Sequence, residues 1–390
     1  MRDAAEEVST VVGPGRGVGH VALGAWSGGR WLQYGETVQE ERLQALLTPG
    51  DGIHTVLTAD AYGAGEADTL VGRALAEVPR EAFSLIGAVG HDFYEGEREG
   101  PKGFPRFTDA RLRGPGQYAD YLRMATERHL ERLGVDELDV LLLHNPDRTG
   151  YTSPVVWEAM ASLRDEGLTR AIGVAPGPAN GFTLDVIACL ERFGDLMDWA
   201  MLILNPFEPW PGELALRAAA AKEVAVIARV ADYGGIFWDD VRPGHAFAER
   251  DHRLHRPGGW IEAGVRKLEA IRPVAVRHGL TPMQLAAQWD LAHAPVACVV
   301  PTLIQEPGGR PIEAKRAELA ATPHHVVLDP DEVAMMREIG DNAGSMVLKG
   351  ATPDHDGDVL PDRWPLETDL VAAGARWGID AEQDLAAAKG

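Results

Sequence analysis

The most constraining feature of this chain is an alternation in which short β-branched or apolar runs repeatedly give way to segments of helical period. Ile53–Ala59 (IHTVLTA) and Phe83–Val89 (FSLIGAV) read as strands. Leu138–His144 (LDVLLLH) is so nearly continuous in apolar residues that both of its faces are expected to be buried. Strands over Thr169–Val174, Trp199–Leu204, Val224–Val230, Val296–Pro301 and His325–Leu328 bring the number to eight. The spacing predicts helices from about Glu66 to Ala76, Tyr118 to Leu133, Val155 to Glu166, Thr183 to Phe193 and Glu213 to Lys222. Further helices follow over Ile261–His278, Pro282–Ala292, Pro311–Ala321 and Pro330–Ile339, with Gly167 and Gly279 as stops and Thr281 as a start.

Repeated βα units imply a parallel sheet, and eight of them suggest closure into a (β/α)8 TIM barrel. An open doubly wound sheet is the alternative; against it, no strand runs into a G-x-G-x-x-G turn. Gly13–Gly19 (GPGRGVG) reads as a loop ahead of the first barrel strand, and a short hairpin near Val18–Ala25 would cap the barrel bottom. On this reading residues 1–18 are an N-terminal segment and 19–341 the barrel with long loop insertions. Residues 342–390 are then an extension packed on it, whose Lys349, Asp362, Arg363 and Trp364 either reach the mouth or lie in a surface strap.

Charge narrows the class of partner. With 37 Lys and Arg against 59 Asp and Glu in 390 residues, the net charge of −22 argues against a nucleic-acid backbone or an anionic membrane as partner. No apolar run approaches the ~20 residues of a membrane span, and the N-terminus lacks the apolar stretch of a secretory signal. Cys189 and Cys298 cannot build a disulfide framework and suit a reducing compartment. The expectation is a cytoplasmic enzyme acting on a small molecule.

In such a barrel the active site lies at the C-terminal ends of the strands. Two residues there can transfer protons, Tyr62 and His144, and they are the candidate catalytic pair. Each is open to a plainer reading, Tyr62 as an aromatic under a loop and His144 as a core histidine. Trp26, Trp210 and Trp238 fall just past strand ends, where aromatics suit a sugar ring or flat substrate; loop anchoring is the competing reading. With His91, Asn145, Asn205 and Arg229 they make up the candidate substrate-binding set. The insertion Asp232–Gly259 contains His252-x-x-His255, but its abundant Arg and Asp point to a solvated lid, and no metal is expected.

The motifs at these positions resemble the aldo-keto reductase superfamily, and specifically its sugar-dehydrogenase-like branch. Leu23-Gly24-Ala25-Trp26 is similar to the family's first-strand motif, and Leu57-Thr58-Ala59-Asp60-Ala61-Tyr62-Gly63 to its D-T-A-x-x-Y-G signature. His129–Gly134 through Asp139–Asp147 resembles the segment carrying the family's histidine, and Ile172-Gly173-Val174 its fourth-strand signature. The resemblance implies a tetrad of Asp, Tyr, Lys and His, of which Tyr62 and His144 are present while Leu57 and Ala88 stand for Asp and Lys. Losing one member of a buried ion pair would strand a charge at a cost of ~3–5 kcal/mol, so the paired loss is coherent. Without the lysine, the Tyr62 pKa is expected to stay nearer the reference of ~10.

The implied cofactor positions are altered too. Ala175 replaces a serine that helps hold the nicotinamide, Leu204 takes the place of a stacking aromatic, and Glu306 in Thr302–Glu306 would repel a 2′-phosphate. Arg310, Lys315 and Arg316 are the cations that could compensate, or else exposed helix charges. No cofactor is therefore favoured. The favoured reading is Tyr62/His144 acid–base chemistry, such as elimination, isomerisation or ring-opening of a hydroxylated, sugar-like or aromatic molecule. Two alternatives stand beside it: an oxidoreductase using NADP(H) or NAD(H), with His91, Lys102 or Arg229 replacing the lost cation, and a non-catalytic binding protein on the same scaffold.

Overall fold

The computed structural model describes residues 17–99, 103–177, 182–256, 258–343 and 367–385. Gly13–Arg16, Lys102, Lys349 and Asp362–Trp364, singled out above, lie outside the described residues, as does the side chain of His255. Eight strands form one parallel sheet in sequence order: β1 (Ala22–Gly24), β2 (Thr55–Leu57), β3 (Ser84–Val89), β4 (Val140–His144), β5 (Ile172–Ala175), β6 (Trp199–Ile203), β7 (Ala225–Arg229) and β8 (Val296–Val300). Val21 bridges to Val299 in parallel, and the Val299 amide donates to the His20 carbonyl at 2.9 Å, so the last strand meets the first and the sheet closes into a barrel.

The helices run α1 (Glu40–Leu47), α2 (Glu66–Leu75), α3 (Tyr118–Leu133), α4 (Arg148–Thr152), α5 (Pro154–Asp165), α6 (Thr183–Phe193) and α7 (Gly212–Ala221). They continue with α8 (Trp260–His278), α9 (Pro282–Leu291), α10 (Ile312–Ala320), α11 (Pro330–Gly340), α12 (Thr368–Arg376) and α13 (Ala381–Asp384). Local chemistry sets several ends. Thr281 accepts from the Gln284 amide at 3.2 Å and Asp329 from the Glu332 amide at 2.8 Å, each followed by proline, which supplies a preset φ and lacks the N–H that would go unpaired. Gly134, at φ 69°, closes α3 in the left-handed conformation that glycine adopts without a Cβ clash.

Alternate strand residues separate two cores. Ile86, Val140, Leu142, Trp199, Ile227 and Cys298 fill the barrel, while the opposite strand faces join the helices in a larger outer cluster. At Gly173 a Cβ would stand 2.0 Å from the Trp199 carbonyl oxygen, so β5 and β6 can pack this closely only with glycine there. Among the described residues, no helix is long and apolar enough to cross a membrane.

Two expected elements fall elsewhere. The first strand lies where a capping hairpin was expected: Ala22, Leu23 and Gly24 pair in parallel with Thr55, Val56 and Leu57. His325–Leu328 is no strand; Val326 is 41% exposed, and the Val327 amide is held by the Gln288 side chain at 2.8 Å rather than by a neighbouring strand. Three residues ending in glycine give β1 little β-propensity signal, whereas the apolar character of Val326 and Val327 faces no core. The insertion after β7 also differs from the solvated lid expected. Its Tyr233, Ile236, Phe237, Trp238 and Val241 are buried, with Phe237 stacked on Phe207 at 4.5 Å between centroids.

Candidate active site

At the C-terminal end of the barrel the strand ends line a pocket open to solvent at its mouth. Tyr62 enters it from the turn directly after β2, and His144, the last residue of β4, faces it from two strands away. Their ring centroids are 5.8 Å apart and nearly perpendicular, and Trp26 meets the Tyr62 ring at 6.2 Å from the other side. Burial pushes the Tyr62 phenol up to about 12, with the Arg229 guanidinium pulling the other way. This exceeds the reference value expected from the loss of lysine, because desolvation outweighs the available cation. Leu57 and Ala88 line the same floor with apolar side chains.

Behind His144 lies a hydrogen-bonded support. The His91 ring sits 5.0 Å from that of His144, its Nε2 3.1 Å from the Asn145 amide nitrogen and its Nδ1 3.0 Å from Arg106 Nη1. Arg106 Nε also donates to the Asn145 carbonyl, and the Asn145 amide donates to the Ala175 carbonyl at 2.7 Å. These bonds hold Asn145 at φ 47°, a left-handed conformation that asparagine tolerates better than most residues. Asn145 thereby lines the cavity, while His91 stands behind it.

The remaining candidates divide. Trp26 and Arg229 line the cavity. Trp238 is fully buried beside it, its indole donating to the Thr302 carbonyl at 2.8 Å, so it braces the wall. Trp210 is buried against the C-terminal segment, where its indole donates to the Asp384 carbonyl at 2.5 Å. Asn205 spends its amide on the turn after β6, donating to Glu208 at 2.9 Å and to the Val230 carbonyl at 3.1 Å. Tyr34 and Leu32 line the cavity without having been singled out from sequence; Thr302, first residue of the Thr302–Glu306 segment, lines it too, and the Trp26 indole donates to its hydroxyl at 3.2 Å. The loop carrying Leu32 and Tyr34 follows β1, a strand that the family resemblance marked at Leu23–Trp26 but the residue pattern alone did not.

The cations beside β8 are engaged within the protein. Lys315 is buried on Asp240 and the Ile304 carbonyl. Arg310 donates to Glu318 at 2.7 Å and to the Trp238 carbonyl at 2.8 Å. Arg316 donates to the carbonyls of Leu46, Thr48 and Gly50, the exposed end of α1. Glu306 is buried and held by Arg253 and by His245, at 3.1 Å. Arg256, which acts electrostatically on the Tyr34 phenol, stands 3.6 Å from Glu208 with its buried Nη1 making no hydrogen bond.

Comparison with known proteins places this geometry. Residues 20–341 match the model of the aldo/keto reductase family. The chain is 24% identical over 309 residues to probable aldo-keto reductase 1 of Glycine max, covering 77% of this chain and 80% of that protein. It is 29% identical over 160 residues to the NADH-specific methylglyoxal reductase of Escherichia coli, 40% of this chain and 47% of the relative. Among solved structures it is similar to an aldo/keto reductase from Klebsiella pneumoniae in complex with NADP and acetate. That match has a TM-score of 0.56 and 21% identity, and covers 83% of this chain and 92% of the other. These findings correct the expectation that no cofactor is favoured: the family model spans the barrel, one relative is named for NADH and a similar structure holds NADP. Elimination or isomerisation likewise has no counterpart among these proteins, which are named as reductases.

Proposed function

The chain belongs to the aldo/keto reductase family, and from that premise we propose that it is a nicotinamide-dependent oxidoreductase interconverting the carbonyl and hydroxyl forms of a small molecule. The observation that carries this reading is the meeting of Tyr62 and His144 on one cavity at the C-terminal end of the barrel. When bound, the nicotinamide supplies the hydride. Tyr62, its phenol pushed up to about 12, is protonated at neutral pH and gives its proton to the carbonyl oxygen; water then restores it. His144, supported by His91 and Asn145, orients that oxygen. The apolar walls keep water from the reacting centre.

The residues present fit such a cofactor at one place: Asn145 and Thr302 offer side-chain hydrogen-bonding groups at the cavity for the carboxamide. The tetrad is a reduced one, with Tyr62 and His144 working beside Leu57 and Ala88. Quenching of tryptophan fluorescence by NADH or NADPH should saturate, and simple aldehydes should then be reduced. Tyr62→Phe should lower kcat by about 10²–10⁴-fold while leaving the dinucleotide Kd in place. No saturable binding, or an undiminished kcat in the Phe variant, would overturn the reading.

A further inference from the structure

We propose that Arg229 is an anion anchor, and that the substrate of this cavity is a short carbonyl compound bearing a carboxylate. The inference rests on the oxidoreductase reading for the carbonyl, and on the cavity itself for the carboxylate. Arg229 ends β7 and lines the cavity together with Tyr62 and His144. Its Nη2 donates to the carbonyls of Pro176 and Gly177 at 3.2 and 2.9 Å, which fixes the guanidinium in place. The donors left over are Nη1 and Nε, and Nε is buried without a hydrogen-bond partner.

Arg229 lines the cavity without a counterion. Around the same mouth Arg253 has Asp251 and Glu306, Arg256 has Glu208, Arg310 has Glu318 and Lys315 has Asp240. Among the described residues no carboxylate lies within ion-pair distance of Arg229, and the residues lining the cavity include no Asp or Glu. A guanidinium withdrawn from water without a compensating charge is unfavourable, and an incoming carboxylate removes that cost through a charge-assisted hydrogen bond.

The other walls sharpen the substrate class. Leu57, Ala59, Ala88, Ala175, Met201 and Val230 present no hydrogen-bonding side chain. An oxo acid with a short apolar middle suits these walls, since it needs polar partners only at its two ends. The carbonyl then meets Tyr62 and His144, and the carboxylate meets Arg229. The carboxylate undergoes no chemistry.

The test uses a matched pair of four-carbon probes, succinic semialdehyde and butanal, with succinate as a non-reacting ligand. Wild type should favour the acid over butanal in kcat/KM by about 10- to 100-fold, the range of a hydrogen bond to a charged group. Arg229→Met should collapse that ratio toward unity, chiefly through KM, and abolish succinate binding in calorimetry. Arg229→Lys, which keeps the charge, should retain part of both. The inference is overturned if the acid has no advantage, or if its advantage survives Arg229→Met. It also falls if that variant weakens dinucleotide binding and leaves the ratio intact, since Arg229 then serves the cofactor. Succinate binding that depends on Arg229, in a protein that reduces neither probe, would sink the oxidoreductase reading and leave the anchor standing. Reduction of butanal with no response to either acid would do the reverse.

Discussion

On the β2–β3 side of the mouth, beneath Tyr62, the strand ends place Leu57 and Ala88 against the cavity, apolar side chains at adjoining positions. On the β7–β8 side, the loops bury Arg253 between Asp251 and Glu306, with Asp251 taking Nη2 at 2.7 Å and His245 reaching Glu306 at 3.1 Å. One rim turns no charged side chain to the cavity and the other has drawn opposite charges together out of water. A buried charge is tolerated when paired or absent, and is costly when single. Arg229 lines the cavity between the two rims as a cation to which neither solution applies.

The charged rim offers the largest test of this contrast. Arg253→Met removes the cation and leaves Asp251 and Glu306 facing each other in a site where all three side chains are 2% exposed or less. The expected loss is about 3–5 kcal/mol of unfolding free energy, measured by urea denaturation. A loss below about 1 kcal/mol would mean that water reaches this network and that the two rims are not opposites.

On the uncharged rim the experiment runs in reverse, by installing a charged pair. Leu57→Asp and Ala88→Lys should each destabilise, since each installs one buried charge beside an apolar floor. Together they should cost less than the sum of the two, with a favourable coupling of about 1–3 kcal/mol in a double-mutant cycle. Additive losses would show that the floor has relaxed so far that the two side chains no longer meet.

The uncharged rim was far more legible in the sequence than the charged one, and the reason is range. Tyr62 and His144 lie at the ends of strands whose apolar runs announce them, and the residues around them carry a family resemblance at fixed spacing. The charged rim depends in part on a partner distant in sequence: Asp251 is two positions from Arg253, but Glu306 is 53 positions away, and nothing near Arg253 told that it turns inward to meet it. Trp210 and Trp238 show a second limit. Their place just past a strand end was evident, but the direction of each side chain was not, and both turned to carbonyls within the protein instead of the cavity. The first strand was legible only through the resemblance at Leu23–Trp26: Ala22–Gly24 contains one large apolar residue, so its place in the barrel comes from β2 and β8 rather than from its own propensity.

Asp290 shows a buried acid handled in neither of the two ways. It lies on α9, fully buried, with both carboxylate oxygens lacking a hydrogen-bond partner, and burial pushes its pKa well above the usual carboxylate range. With no cation to pair with, the side chain stays in place by holding its proton. In the unfolded chain it titrates near the reference of ~3.9. Below that pH both states carry the proton and Asp290 leaves stability unchanged. Above it the unfolded state releases the proton while the folded state keeps it, so stability falls by up to about 1.4 kcal/mol per pH unit until the folded pKa is passed. Asp290→Asn mimics the protonated acid at every pH and removes this slope. The variant should therefore match wild type near pH 3.5 and gain on it steadily as the pH rises, read by urea denaturation at matched ionic strength. A constant offset between the two proteins across that range would mean that Asp290 is ionised in the folded state, and that a counter-charge or water reaches it.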